Sequence, residues 1–482
     1  FIHFIFCYDT EGFYFPQTFP IFQEAHDFFV NTKKQTATQH LFTNKQLRTL
    51  LVPIMVEQLL SSLMGTADTM MVSNVGSAAI SAVSLVDAIN ILVIQALSAL
   101  AAGGAILCSQ YLGSQNLKKA KRSAEQGLFV MLVLSCSLSL LCLIFRFPLL
   151  RLIFGTVDTD VMANSQIYFF FTLLSFPFIG LYDAGASILR AQNNTKGPMT
   201  ISILSNFLNI GGNAILIFVF GMGVAGAAIS TLVSRIFCAI VVIWQLRNPA
   251  EQIYVRNYFS IRPDWSLIKR VLFIGIPSGI KNSMFQFGKL AIQSTVSTLG
   301  TVAIAAQAMT SILEALNGIA AMGVGIGLMT VVGQCIGAKR KDEAIYYIKR
   351  LSWLSEIVIL ISCAVVYLLA KPVTILGGME AESARLCLQM VAFITITKPI
   401  SWVLSFIPAY GMRAAGDVKF SMITSCASMW LCRVSLCIFL CRFCGFGPIA
   451  VWIGMFADWS VRAVVFMLRF HSRKWLQHHV ID

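Results

Sequence analysis

Charge is what this chain has least of. Only 12% of its 482 residues are charged, against roughly 25% in a soluble domain. With 57% hydrophobic residues and a mean hydropathy of +0.75, that scarcity excludes a soluble enzyme. Histidine is missing from every apolar run: His3, His26, His40, His471, His478 and His479 all lie near the termini. A membrane-embedded histidine metal centre or proton relay is thereby excluded, leaving Asp and Glu to carry any buried proton chemistry. No GxxxxGK[ST] loop is present, so energy cannot come from a P-loop ATPase within this chain. No paired acids, nucleophile with a base, or metal cluster at helical spacing is visible, which argues against an intramembrane enzyme. A disulfide framework is lacking too, since the thirteen cysteines mostly sit singly in apolar runs as small hydrophobes. Cys441 and Cys444 form a CxxC, but without a second pair or a nearby His they make no structural metal site. The net charge of +14 reflects Lys and Arg in short loops, with no basic stripe interleaved with aromatics, so nucleic acid is not an expected partner.

What the chain has is apolar runs of membrane-spanning length. Bounded by charge or Gly/Pro clusters, they predict twelve helices near 48–74, 80–112, 124–146, 162–189, 198–220, 224–246, 269–299, 303–336, 350–370, 385–412, 418–441 and 448–470. Connections alternate between basic ones, such as Lys118, Lys119, Lys121 and Arg122 or Lys339, Arg340 and Lys341, and nearly uncharged ones, such as 74–77 and 221–223. With the N-terminus inside, about 25 Lys and Arg fall on cytoplasmic segments and about five outside, which predicts a multi-pass inner (plasma) membrane protein with both termini cytoplasmic. The expected parts are an N-terminal tail over 1–46, poorly ordered or interfacial, an N-lobe over 47–246, a cytoplasmic linker over 247–268, a C-lobe over 269–470 and a C-terminal tail over 471–482.

Self-similarity sets the architecture. Pro53 and Pro277, Gly76 and Gly300, Ile80 and Ile304, Ala82 and Ala306, Gln110 and Gln334, and Gly113 and Gly337 all match at one offset of 224. Arg190, Ala191 and Lys196 match Arg413, Ala414 and Lys419 at 223. Because each unit has an even number of helices, both enter from the same side, giving two parallel six-helix repeats about an axis along the membrane normal, with a cleft between them. The fold class expected is an all-α polytopic membrane protein, a V-shaped two-lobed transporter.

An Asp at a helix centre costs about 2.5 to 3.5 kcal/mol on insertion scales, so each one asks for a reason. Asp68, late in the first helix, is the leading candidate for cation coupling. Ser202, Asn206, Asn209 and Asn213 share one face of the fifth helix, where their amides could hold Asp68 or offer oxygens to Na+. The alternative for Ser202 and Asn206 is simple helix–helix hydrogen bonding. Ser278, Asn282, Gln286, Lys289 and Gln293 stripe the seventh helix, and Gln307, Thr310, Glu314 and Asn317 the eighth, where Lys289 and Glu314 could pair. Asp183 and Lys398 sit well within their runs and are read as facing the cleft, Lys281 and Arg433 as able to snorkel to an interface, and Asp87 as without an evident partner.

These features resemble the multidrug and toxic compound extrusion (MATE) family. The resemblance rests on Pro53 through Ala67, Asp68 and Thr69 to Gly76, on Leu189 to Lys196, and on Asn209, Ile210 and Asn213 followed by Gly226, Ala227 and Ala228. Arg413 to Asp417 and the stretch from Asp458 and Trp459 to Arg469 and Phe470 extend it over about residues 47–475. It implies export of amphipathic, often cationic, small molecules against H+ or Na+, with no other cofactor and with membrane lipid and substrate as partners of a monomer. By that match Asp68 is the coupling acid, holding at most a transient Na+, with Asn209 and Asn213 as partners and Pro53 as the bend of the first helix. Two departures stand out: Asn213 where many relatives carry Asp, and Phe285 where one branch carries Glu. The alternative function is a flippase of a lipid-linked anionic oligosaccharide, motivated by Lys281, Lys289, Lys398 and Arg433.

Overall fold

A backbone in hydrocarbon has no water to bond, so it closes its own hydrogen bonds as helices. The computed structural model describes residues 7–9, 12–14, 40–155, 158–256, 258, 261–478 and 480–481, and these are almost wholly helical. Apart from a two-stranded antiparallel pair, β1 (Cys7–Asp9) and β2 (Gly12–Tyr14), the tail expected over 1–46 lies outside the described residues up to 39.

Twelve long helices follow: α1 Asn44–Ser73, α2 Ser77–Gly113, α3 Leu117–Ile144, α4 Thr159–Ala191, α5 Lys196–Val219 and α6 Gly223–Leu246. The second set is α7 Trp265–Ser297, α8 Thr301–Gly337, α9 Lys341–Leu376, α10 Ala381–Ala414, α11 Val418–Arg442 and α12 Ile449–His471. By length and composition ten of them suffice to cross a membrane, and the two left out are α1 and α7, the first helix of each repeat. Both carry charges well inside their length, Glu57 and Asp68 in one and Lys281 and Lys289 in the other.

Several helices begin earlier than the apolar runs, because polar caps start them outside the hydrocarbon. Thr43 closes a capping box with Gln46 before α1, Asn116 accepts from Lys119 N before α3, and Asp264 accepts from Ser266 N before α7. The linker is accordingly shorter than 247–268, and it is stapled to the N-lobe: Ile253 N donates to Gln192 Oε1 at 2.7 Å and Val255 N to Leu246 O at 2.8 Å. Asp264, paired with Arg122 at 3.0 Å, has its carboxyl held below the usual range by its bonds to Ser266. A nine-residue helix, Arg146–Phe154, which the hydropathy does not announce, joins α3 to α4.

The lobes differ from the expected division in one respect. The start of α1 (Leu47, Leu50, Leu51, Ile54) packs into the core built by α8, α9, α10 and α12, and the start of α7 (Leu267, Val271) packs into the core of α2, α3, α4 and α6. Each repeat thus opens with a helix that begins against the other lobe. Phe42 joins the same exchange, its N–H and carbonyl both bonded to the Tyr347 hydroxyl at 3.1 and 3.0 Å.

Lipid tails are as apolar as leucine, so the lobes are held by close backbone approach and hydrogen bonds rather than by exclusion of water. The ends of α2 and α8 meet where Gly113 faces Gln334 and Gly337 faces Gln110, and a Cβ on either glycine would fall on the partner's backbone carbonyl. The same two glutamines clamp the lobes reciprocally: Gln110 Nε2 donates to Ala414 O at 2.6 Å and Gln334 Nε2 to Ala191 O at 2.8 Å. Further out the interface reaches Asn282, which donates to Gln95 O at 3.2 Å. Beyond that, the polar residues of α2 and α8 turn to their own lobes, as Asp87 does to Tyr168 and Glu314 to Lys398. The cleft therefore opens on the face opposite the termini.

Gly337→Ala should cost about 1–3 kcal/mol of overpacking, seen as a lower unfolding midpoint in detergent. Gly211→Ala, with nothing near its new Cβ, should not lose stability. An unchanged midpoint for Gly337→Ala would mean the lobes do not close on this pair.

Candidate functional site

The N-lobe site grows from α5. Its face spacing brings Asn209 and Asn213, both fully buried, against α1 and α6. Asn213 Nδ2 donates to Asp68 Oδ1 at 2.6 Å and reaches Asn209 Oδ1 at 3.3 Å. Asn209 is fixed in turn by Thr231, whose hydroxyl accepts at 3.3 Å, and by Ser230, which donates to its carbonyl at 2.8 Å. From Asn213 onward the helix widens into a π-helical turn, Ala214–Val219, a device that re-aims side chains and recurs at functional positions. Asn206 bonds Leu60 O at 3.2 Å, a helix–helix contact between α5 and α1.

Behind Asp68 lies a second set of charges that spacing along one helix does not reveal. Asp87 accepts from Tyr168 at 3.2 Å and from Asn90 at 3.1 Å, and with Arg235 it lies within electrostatic reach of Asp68. Arg235 itself donates to Ser175 at 2.6 Å. Nearer the termini, Glu57 of α1 pairs with Arg190 of α4 at 2.5 Å and accepts from Tyr182 at 3.2 Å. Asp183 sits among Glu57, Arg190 and Arg235, with Oδ2 buried and without a hydrogen-bond partner. It belongs to this lobe's interior network. Pro53 lies inside α1, four residues before Glu57.

The C-lobe is built on cations. Glu314 pairs with Lys398 at 2.7 Å, not with Lys289, because Lys398 is fully buried on α10 and also donates to the Glu314 carbonyl at 3.0 Å. Lys289 stays exposed on α7 and makes no ion pair or hydrogen bond among the described residues, with Glu314 and Arg433 in electrostatic reach. Arg433 does not snorkel to an interface. It is buried in a π-helical turn of α11, Met429–Val434, and pairs with Asp458 at 3.0 Å; Arg462 shares that carboxylate at 3.2 Å. Phe285 packs against both guanidiniums, 5.9 Å from Arg433 and 5.2 Å from Arg462. Of the other cleft candidates, Gln286 is half-buried, Gln293 exposed, and Gln307 buried with its amide on Ser311 at 3.3 Å.

The MatE family profile matches this chain twice, over residues 53–215 and 277–439. The chain belongs to the MATE family. Its two matched segments fall one in each repeat and start at the matched prolines Pro53 and Pro277. An uncharacterized transporter of Bacillus subtilis, YisQ, is 27% identical over 88% of this chain and 93% of its own. A probable multidrug resistance protein NorM of Thermotoga maritima is 25% identical over 91% of this chain and 94% of its own. Among solved structures, an outward-facing conformation of a multidrug resistance MATE family transporter superposes with a TM-score of 0.81 at 20% identity, over 91% of this chain and 98% of that one. MATE proteins are transporters, and this chain is a multi-pass membrane transporter rather than an enzyme.

Breaking the Glu314–Lys398 pair one side at a time should cost on the order of 3 kcal/mol, since a buried ammonium is then left without its carboxylate. Glu314→Gln should lower the unfolding midpoint in detergent, and adding Lys398→Met should recover most of it. Equal losses for the single and double variants would show that an unpaired Lys398 ammonium is not what Glu314→Gln costs.

Proposed function

We propose that this MATE transporter exports small amphipathic compounds by alternating access, driven by entry of H+ or Na+ at Asp68. The observation that carries the reading is the 2.6 Å bond from Asn213 to Asp68 on the helix that begins against the opposite lobe. An ionised carboxylate accepts that bond; a proton or Na+ on the carboxylate competes with it, so cation binding changes how α1 is held. Cation and substrate then exchange because each favours a different lobe arrangement, which is all that alternating access requires. A single carboxylate among amides suits one proton, while the oxygens of Asn209 and Asn213 are the available partners for Na+. The relatives named for multidrug resistance support the exporter reading.

The orientation we propose follows from the basic loops: both termini in the cytoplasm of the inner (plasma) membrane, with the cleft open to the outside. One observation favours the second reading, flipping of a lipid-linked anionic oligosaccharide, namely the cationic interior of the C-lobe.

In proteoliposomes, a fluorescent cationic dye should move under an imposed pH gradient or Na+ gradient, and Asp68→Asn should slow that movement at least tenfold. Gradient-driven movement at the wild-type rate in Asp68→Asn would remove Asp68 from the coupling role. No movement of the dye under either gradient in the wild type would favour the flippase.

A further inference from the structure

The two repeats share a backbone plan but not a charge plan. Four residues after Pro53 stands Glu57, and four residues after the matching Pro277 stands Lys281. The partner of Glu57 is Arg190, and the residue matching Arg190 in the second repeat is again an arginine, Arg413. Where the N-lobe has an ion pair at 2.5 Å, the C-lobe therefore has a lysine and an arginine at the matching positions. The groups in electrostatic reach of Lys281 are Arg413, Arg462 and the thiol of Cys426, with no carboxylate among them. Lys281 is half-buried and makes no hydrogen bond or ion pair among the described residues.

Its neighbours are fixed in place and short of partners. Arg413 is 8% exposed, rests on the Tyr410 ring at 4.4 Å, and has a buried Nε without a hydrogen-bond partner among the described residues. Arg462 is 2% exposed, lies on the Phe406 ring at 4.4 Å, shares Asp458 with Arg433, and likewise has an unpartnered Nε. The wider interior leans the same way: Lys281, Lys398, Arg413, Arg433, Arg462 and Arg469 stand against Glu314, Glu356, Asp417 and Asp458. The N-lobe interior is the reverse, with Glu57, Asp68, Asp87 and Asp183 against Arg190 and Arg235. Buried like charges without a counterion are costly, and the missing group is an anion.

We propose that Lys281 and Arg413, backed by Arg462, form an anion site in the C-lobe, holding the carboxylate or phosphate of an amphipathic substrate where the N-lobe holds its own Glu57. The proposal rests on the transporter reading and extends its substrates to amphipathic compounds that carry an anionic group. That group can belong to a soluble organic anion or to a lipid headgroup, and the site chemistry is the same for both. Arg413 adds planar paired donors suited to either group, and Lys281 a mobile point charge.

The test separates binding from transport. The unfolding midpoint of the purified wild type in neutral detergent should rise with a fluorescent aryl carboxylate or with phosphatidylglycerol, and the responding probe identifies the source. Lys281→Glu builds the N-lobe type of pair with Arg413, so it should leave the ligand-free midpoint equal or higher and weaken the response at least tenfold in concentration. Lys281→Gln should weaken it as well without adding a new pair. A response of equal size in both variants, or none to either probe in the wild type, overturns the anion site. In proteoliposomes, transport of the responding probe should fall at least tenfold in Lys281→Gln and in Asp68→Asn. A binding response that depends on Lys281, with transport that ignores Asp68, would retain the anion site and overturn the coupling reading instead.

Discussion

The reciprocal contact of α2 with α8 is the constraint on which the rest of the molecule depends. Two glycines allow the backbones to touch and two glutamines bridge to the opposite lobe, at the end of the molecule that bears the termini. In lipid no exclusion of water would bring the lobes together in its place. Because the lobes close at this end, the cleft opens at the other, and the first halves of α1 and α7 can lie across the interface. The acceptors of the two clamps add a further link: Ala191 follows Arg190, and Ala414 follows Arg413. Each clamp thus ends one residue from a charged position.

Much of this architecture is legible in the sequence because it repeats. One offset pairs the glycines before α2 and α8, the glutamines of the clamps and the glycines that end both helices, and the last two pairs build the closed interface. What hydropathy does not carry is the exchange of first helices between lobes. The starts of α1 and α7 are apolar in either arrangement, and only tertiary contact decides which core receives them. Helix ends are missed for a related reason, since caps such as Thr43 and Asp264 extend the helices into polar surroundings where hydropathy has no signal.

At the site, the readable part lies along single helices. Asn209 and Asn213 share a face because they are four apart, and the structure brings Asn213 to Asp68. Pairs that join distant helices are invisible to spacing: Asp87 with Tyr168, Glu57 with Arg190, Arg433 with Asp458, and Glu314 with Lys398 rather than Lys289. One of them had a signal all the same. Aligning the repeats at Pro53 and Pro277 sets Glu57 against Lys281, and an inversion of charge at matched positions is detectable before any coordinates.

That inversion bears on why a symmetric fold would keep an asymmetric interior. If both lobes closed their charge internally, each would be electrostatically complete and neither would respond to a ligand. The N-lobe closes its Glu57–Arg190 pair, while Asp68 is bonded, among the described residues, to the neutral amide of Asn213. The C-lobe closes Glu314–Lys398 and shares Asp458 between two arginines, but has Lys281 and Arg413, at the positions matching Glu57 and Arg190, without an ion pair among the described residues. A cation in one lobe and an anionic group in the other are what the two proposals would add to these interiors. On those proposals either ligand would change the field on a helix, α1 or α7, that begins against the opposite lobe, and both would act on one closure without touching.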